Sequence, residues 1–104
     1  MIRLQDAVRY VRSKNAGPFW VTFDIFFADS EAFDRYHQSP ELSDAAIAGL
    51  YGVTAGSIRR FPVASLSVLK ISIPRLAPQG GELERDMHSG QLFVRLLDLR
   101  LSPA

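Results

Sequence analysis

Apolar residues open the chain at Leu4, Ala7, Val8 and Val11, with Arg3, Asp6, Arg9 and Arg12 between them. The i, i+3, i+4, i+7 spacing predicts one apolar stripe on a short amphipathic helix. Asn15-Ala16-Gly17-Pro18 ends it, because proline biases its predecessor away from the helical region and Gly17 can take positive φ. From 19 to 27 the pattern changes to period two. Phe19, Val21, Phe23, Ile25 and Phe27 share one face and Trp20, Thr22, Asp24 and Phe26 the other, which predicts a central strand partly covered on both sides.

Asp29 or Ser30 then caps a helix running to Gln38 with Ala32, Phe33 and Tyr36 inward, and Ser39-Pro40 breaks it. Ser43 or Asp44 caps a further helix with Ala46, Ile47, Leu50 and Tyr51 on its apolar face, and Gly52 marks its end. Residues 58–63 and 66–73 read as two strands, the second with Leu69, Ile71 and Ile73 on one face and Leu66, Val68 and Lys70 on the other. Pro78, Gly80, Gly81 and Gly90 make 75–91 a long loop, and 92–101 a last strand. This order predicts an α+β domain: a small mixed or antiparallel sheet of about four strands with about three helices packed on it.

Length and composition narrow the class. At 104 residues and 11.6 kDa, with 47% hydrophobic and 22% charged residues, a single globular domain over 1–104 is expected. A domain this small gains from a partner, so oligomerisation is an option. Twelve Lys and Arg against eleven Asp and Glu leave a net charge of +1, which favours neither nucleic acid nor an anionic membrane. With no cysteine there are no disulfides, thiolate metal sites or cysteine nucleophiles. No window reaches the roughly 18 apolar residues needed to span a bilayer, and the N-terminus has no apolar signal region, so a cytoplasmic protein is expected.

Candidate chemistry is sparse. Asp24 places a carboxylate inside an apolar strand, where it must be stabilised by a cation such as Lys14, Lys70 or Arg75 or by backbone amides. It is therefore either structural or a general acid or base. Lys14, Asn15 and Gly17 offer an ammonium and open backbone amides to an anion such as a carboxylate or phosphate. Equally, Lys14 suits a helix C-terminus and Asn15 a cap. Arg75 follows Ile73-Pro74 at the mouth of the long loop, where a guanidinium can hold an oxyanion with two parallel bonds. Arg59-Arg60 reads as a solvated strand end. His37 and His88 are the only histidines, and Asp86-Met87-His88-Ser89 offers hydrolase residue types without the geometry of a triad. Neither a metal site nor a cofactor fingerprint is present in the sequence.

Arg12-Ser13-Lys14-Asn15-Ala16-Gly17-Pro18-Phe19 with Asp24-Ile25-Phe26-Phe27, then Leu50-Tyr51-Gly52-Val53, Ile71-Ser72-Ile73-Pro74-Arg75 and Leu96-Leu97-Asp98-Leu99, resembles a bacterial domain-of-unknown-function family. That family is the small companion, sometimes the fused domain, of acyclic-terpene-utilisation-type proteins. The resemblance spans about residues 8–101 and departs at Gln91-Leu92-Phe93, where the pattern carries Gln-Gln-His. It implies an accessory subunit of a large acyclic-terpene-utilisation-type protein encoded nearby, in catabolism of acyl-CoA, terpenoid or organic-acid substrates. On that reading Lys14, Asn15, Asp24 and Arg75 serve a shared anion-binding pocket. Two alternatives stand beside it: a self-contained lyase or hydratase with Asp24 or His88 as base, and a homo-oligomeric ligand-binding or regulatory module.

Overall fold

The aromatic run after the first turn forms the axis of the fold. In the computed structural model, which describes residues 2–17, 19–74 and 94–103, this run is strand β3, Trp20–Phe27. Its two edges are both hydrogen-bonded, to β2 (Val8–Asn15) and to β5 (Val68–Pro74), and β5 pairs in turn with β4 (Arg59–Val63). The result is a four-stranded antiparallel sheet in the order β2-β3-β5-β4. The edge strand β4 carries Pro62, which cannot donate to a further ladder, and the other edge, β2, is irregular between Val8 and Tyr10.

A second, two-stranded sheet joins the two ends of the described chain. Strand β1 (Ile2–Arg3) pairs antiparallel with β6 (Arg100–Leu101). Helix α1 is the single turn Leu4–Ala7, α2 is Ser30–Tyr36, α3 is Asp44–Tyr51 and α4 is Val94–Leu97. The helix starts follow the sequence: Asp29 Oδ1 accepts from the Ala32 amide at 2.8 Å, and Ser43 Oγ from the Ala46 amide at 3.2 Å. Gly52 ends α3 at φ +70°.

The four described helices lie on the side of the sheet that carries the core. Val21, Phe23, Ile25 and Phe27 of β3 and Leu69, Ile71 and Ile73 of β5 are buried there with Phe33, Ile47 and Tyr51 of the helices. Phe23 stacks on Tyr51 with ring centroids 4.9 Å apart, and Phe27 meets Phe33 edge-on at 5.9 Å. Leu4, Leu42, Leu96 and Leu101 are fully buried and close the ends of this layer.

Two expected elements differ. The predicted N-terminal helix stops after Ala7, and the chain runs on as β2. Leu4, Ala7 and Val11 are buried as the stripe required, but Val11 arrives there on a strand, paired with Ile25. The backbone of β3 needs a ladder partner on both edges, and that demand outweighs a helical spacing with no side-chain N-cap. The predicted last strand begins as helix α4 over 94–97 and becomes extended only at Arg100. Leu66, placed on a strand by alternation, sits in a 3₁₀ turn and is 60% exposed.

Candidate functional site

The turn between β2 and β3 fixes the geometry of the other sheet face. The Ala16 amide donates to the Trp20 carbonyl at 2.9 Å, and Gly17 takes φ +82° at the tip. An added Cβ at Gly17 would meet nothing within 4 Å, so the backbone angle alone calls for glycine. The turn sets Asn15 opposite Val21, and the register then places Lys14 opposite Thr22, Arg12 opposite Asp24 and Tyr10 opposite Phe26. Lys14 and Asn15 are thus the last residues of a strand. The period of two puts Lys14 on the outer face with Arg12, and Asn15 at a register position of the core face; both are exposed.

Asp24 lies at the middle of the outer face and is 1% exposed. Its partners are cations from the strands on either side. Arg12 Nε donates to Asp24 Oδ2 at 2.9 Å, and Lys70 Nζ lies 3.9 Å from Oδ1, beyond hydrogen-bond reach. Oδ1 is buried and has no hydrogen-bond partner among the described residues. Arg12 and Lys70 are about half exposed, with side-chain exposures of 52% and 44%. Lys70 was among the cations expected to pair with Asp24; Arg12 was not, because only the hairpin register brings it opposite.

Aromatic rings and further cations surround this row. Tyr10 stacks on Phe26 at 4.3 Å between centroids, and the Arg12 and Arg9 guanidinium carbons lie 5.5 and 5.9 Å from the Phe26 ring. On the far side Arg59 lies 4.8 Å over Trp20. Thr22 and Ser72 hydroxyls are 3.0 Å apart across the β3–β5 pair. The arrangement contains fixed cations, a buried carboxylate that neutralises part of their charge, and flat apolar surface. Such a set can grip an oxyanion or another surface.

Two expected site residues, Arg75 and His88, lie outside the described residues. His37 is structural: its Nδ1 donates to the Phe33 carbonyl at 2.7 Å and its ring stacks on Phe33 at 4.2 Å. Arg60 departs from the solvated strand end expected of it, reaching Asp44 Oδ1 at 2.8 Å and the carbonyls of Leu42 and His37 at 3.0 and 3.4 Å. It borders a shallow open depression of about 540 Å³ also lined by Gln38, Ser39, Ser43 and Asp44. None of Lys14, Asn15, Gly17 and Asp24 lines it. Proton affinities shift elsewhere. Burial pushes the Tyr51 hydroxyl well above its ordinary range, and hydrogen bonds from the Ser102 amide and hydroxyl hold the Glu41 carboxyl below the usual glutamate value.

Among the described residues no helix is long and apolar enough to cross a membrane, and no cluster of three or more His, Asp or Glu side chains could hold a metal ion. No match was found among curated proteins or among solved structures. The model of one family, a domain of unknown function (DUF4387), matches residues 4–100, and the chain belongs to that family.

Proposed function

We propose that the chain is a small accessory subunit that docks on a larger protein and lends cationic side chains to binding an acidic partner group. The larger protein, on this reading, is of the acyclic-terpene-utilisation type and acts on acyl-CoA, terpenoid or organic-acid substrates. The observation that carries the reading is Asp24. A buried carboxylate held between Arg12 and Lys70 has the geometry of a positioning group, since its two described partners are cations that stay charged. A general base would need a path from its free oxygen to a substrate proton. Oδ1 instead lies buried beside Lys70, in an arrangement suited to holding cations in place. Lys14 extends the row of cations towards the hairpin tip, where Gly17 keeps the backbone open.

Co-purification tests this. The chain, expressed with the large protein encoded beside it, should co-elute at a fixed ratio. Separate elution would defeat the subunit reading, and turnover of an acyl thioester by the small chain alone would favour the lyase or hydratase instead.

A further inference from the structure

We infer that the outer face of the four-stranded sheet is the docking surface, and that its occupant is an acidic patch on a different protein. The inference rests on the subunit reading and adds which face is used and what covers it.

Charge is the first argument. Arg9, Arg12, Lys14, Arg59 and Lys70 lie on or over this face, and Asp24 is the acidic residue that its described strands contribute to it. The described residues of this face therefore carry four net positive charges, five cations less Asp24, in a chain whose total is +1. A strongly one-signed face on a nearly neutral molecule steers an oppositely charged partner and sets its orientation.

Composition is the second. Tyr10 on one edge strand and Phe61 on the other are 49% and 53% exposed, and Phe19 at the hairpin is 55% exposed. Exposed aromatics and arginines with half-fixed side chains are the residue types that carry binding energy in protein interfaces. Arg12 is already held by Asp24 and Phe26, and Arg59 by Trp20, so little side-chain freedom remains to be lost on docking.

The other occupants fit less well. Two copies meeting face to face would oppose four positive charges with four. A single strand of nucleic acid needs open rings for its bases to stack on. Here Phe26 is covered by Tyr10 and Trp20 by Arg59, and a carboxylate sits at the centre; the rings left open, Tyr10 and Phe61, lie on opposite edge strands, three strand spacings or about 14 Å apart, too far for successive bases to stack on both.

The chain's single tryptophan, Trp20, lies on this face and reports on it by fluorescence. Titration with poly-L-glutamate should change Trp20 emission. The exposed pair Lys14→Glu and Arg59→Glu should weaken that response, and the affinity for the large protein, by about tenfold or more, and flatten the salt dependence. Phe61→Ser, which leaves the charge unchanged, should weaken binding of the large protein and keep the salt slope. If the large protein binds both variants within about twofold of the wild type, the face is wrong while the subunit reading survives. If the large protein fails to bind but poly-L-glutamate still acts through Lys14 and Arg59, the subunit reading fails while the acidic-partner face stands. No response to poly-L-glutamate, an equal response to poly-uridylate, or a wild-type dimer abolished by the charge variants would each overturn the proposal.

Discussion

Asp24→Asn gives the sharpest test of how the sheet is built. At an effective dielectric constant of about 20, a charge pair at the Arg12–Asp24 distance of 2.9 Å attracts by about 6 kcal/mol, and one at the Lys70–Asp24 distance of 3.9 Å by about 4 kcal/mol. Removing a carboxylate from water costs several kcal/mol, and Arg12 and Lys70 keep about half of their exposure, so most of that attraction is offset. Replacing the carboxylate by an amide keeps the shape and one acceptor for Arg12 but removes the negative charge that both cations face. The expected loss is about 2 kcal/mol. In urea, with an unchanged slope of about 2 kcal/mol per molar, the midpoint should fall by about 1 M. Arg12→Met should cost a similar amount, because it leaves a buried carboxylate with only a cation 3.9 Å away. The double variant should then show a coupling of about 1–2 kcal/mol. Asp24→Leu should be milder than Asp24→Asn, since both cations can rehydrate and the strand gains apolar surface. An Asp24→Asn midpoint indistinguishable from wild type, or additive single losses, would mean that Arg12 and Asp24 do not stabilise the sheet as a pair.

Three further outcomes follow from other parts of the molecule. Tyr51 is 3% exposed and its hydroxyl titrates above the unfolded value near 10, so its contribution is present below that pH and lost as pH rises. Tyr51→Phe should therefore flatten the alkaline fall in urea midpoint. Glu41 titrates below its ordinary value, so its contribution is present above the unfolded value and lost as pH falls through the folded one. Glu41→Gln should make the acid limb shallower and loosen the link from the turn at Pro40–Leu42 to Ser102, read as faster amide exchange at Ser102. Gly17→Ala should cost about 1 kcal/mol by urea melt through its φ of +82°, and Gly17→Asn less, because open space receives either side chain but asparagine tolerates the left-handed region better.

The parts of the fold that local chemistry decides were legible. The alternation in β3, the inward row of Leu69, Ile71 and Ile73, the Asp29 and Ser43 caps and the Gly52 stop all reappear in the structure. What failed was decided by pairing. Leu4, Ala7, Val8 and Val11 satisfy a helical stripe, yet the same Val11 reaches the core from a strand, and sequence spacing alone cannot separate the two. That misreading also hid the partner of Asp24. Gly17 within a short polar turn, flanked by two extended runs, is a hairpin signal, and once residues 8–15 are a strand the turn forces Arg12 opposite Asp24. The exposed role given to Arg60 failed for a related reason: its contacts with Asp44 and the Leu42 carbonyl depend on where the second helical segment docks.

The same pairing explains why a costly residue sits at the centre of the outer face. Stability gives little reason for an aspartate at position 24, because a buried ion pair seldom outperforms an apolar side chain of similar size. A leucine there would join Val68, which is buried beside it without belonging to the helix-side core. What a leucine could not do is hold a guanidinium from β2 and an ammonium from β5 at fixed places on either side of β3. Fixing those cations before an encounter reduces the side-chain entropy lost when an acidic surface arrives, and it keeps them directed outward. If binding is what Asp24 serves, then stability and affinity must respond to it separately. Asp24→Leu should come close to the wild type in urea and bind poly-L-glutamate no more tightly than the wild type although the face then carries one more net positive charge; were the aspartate purely structural, that added charge would raise the affinity.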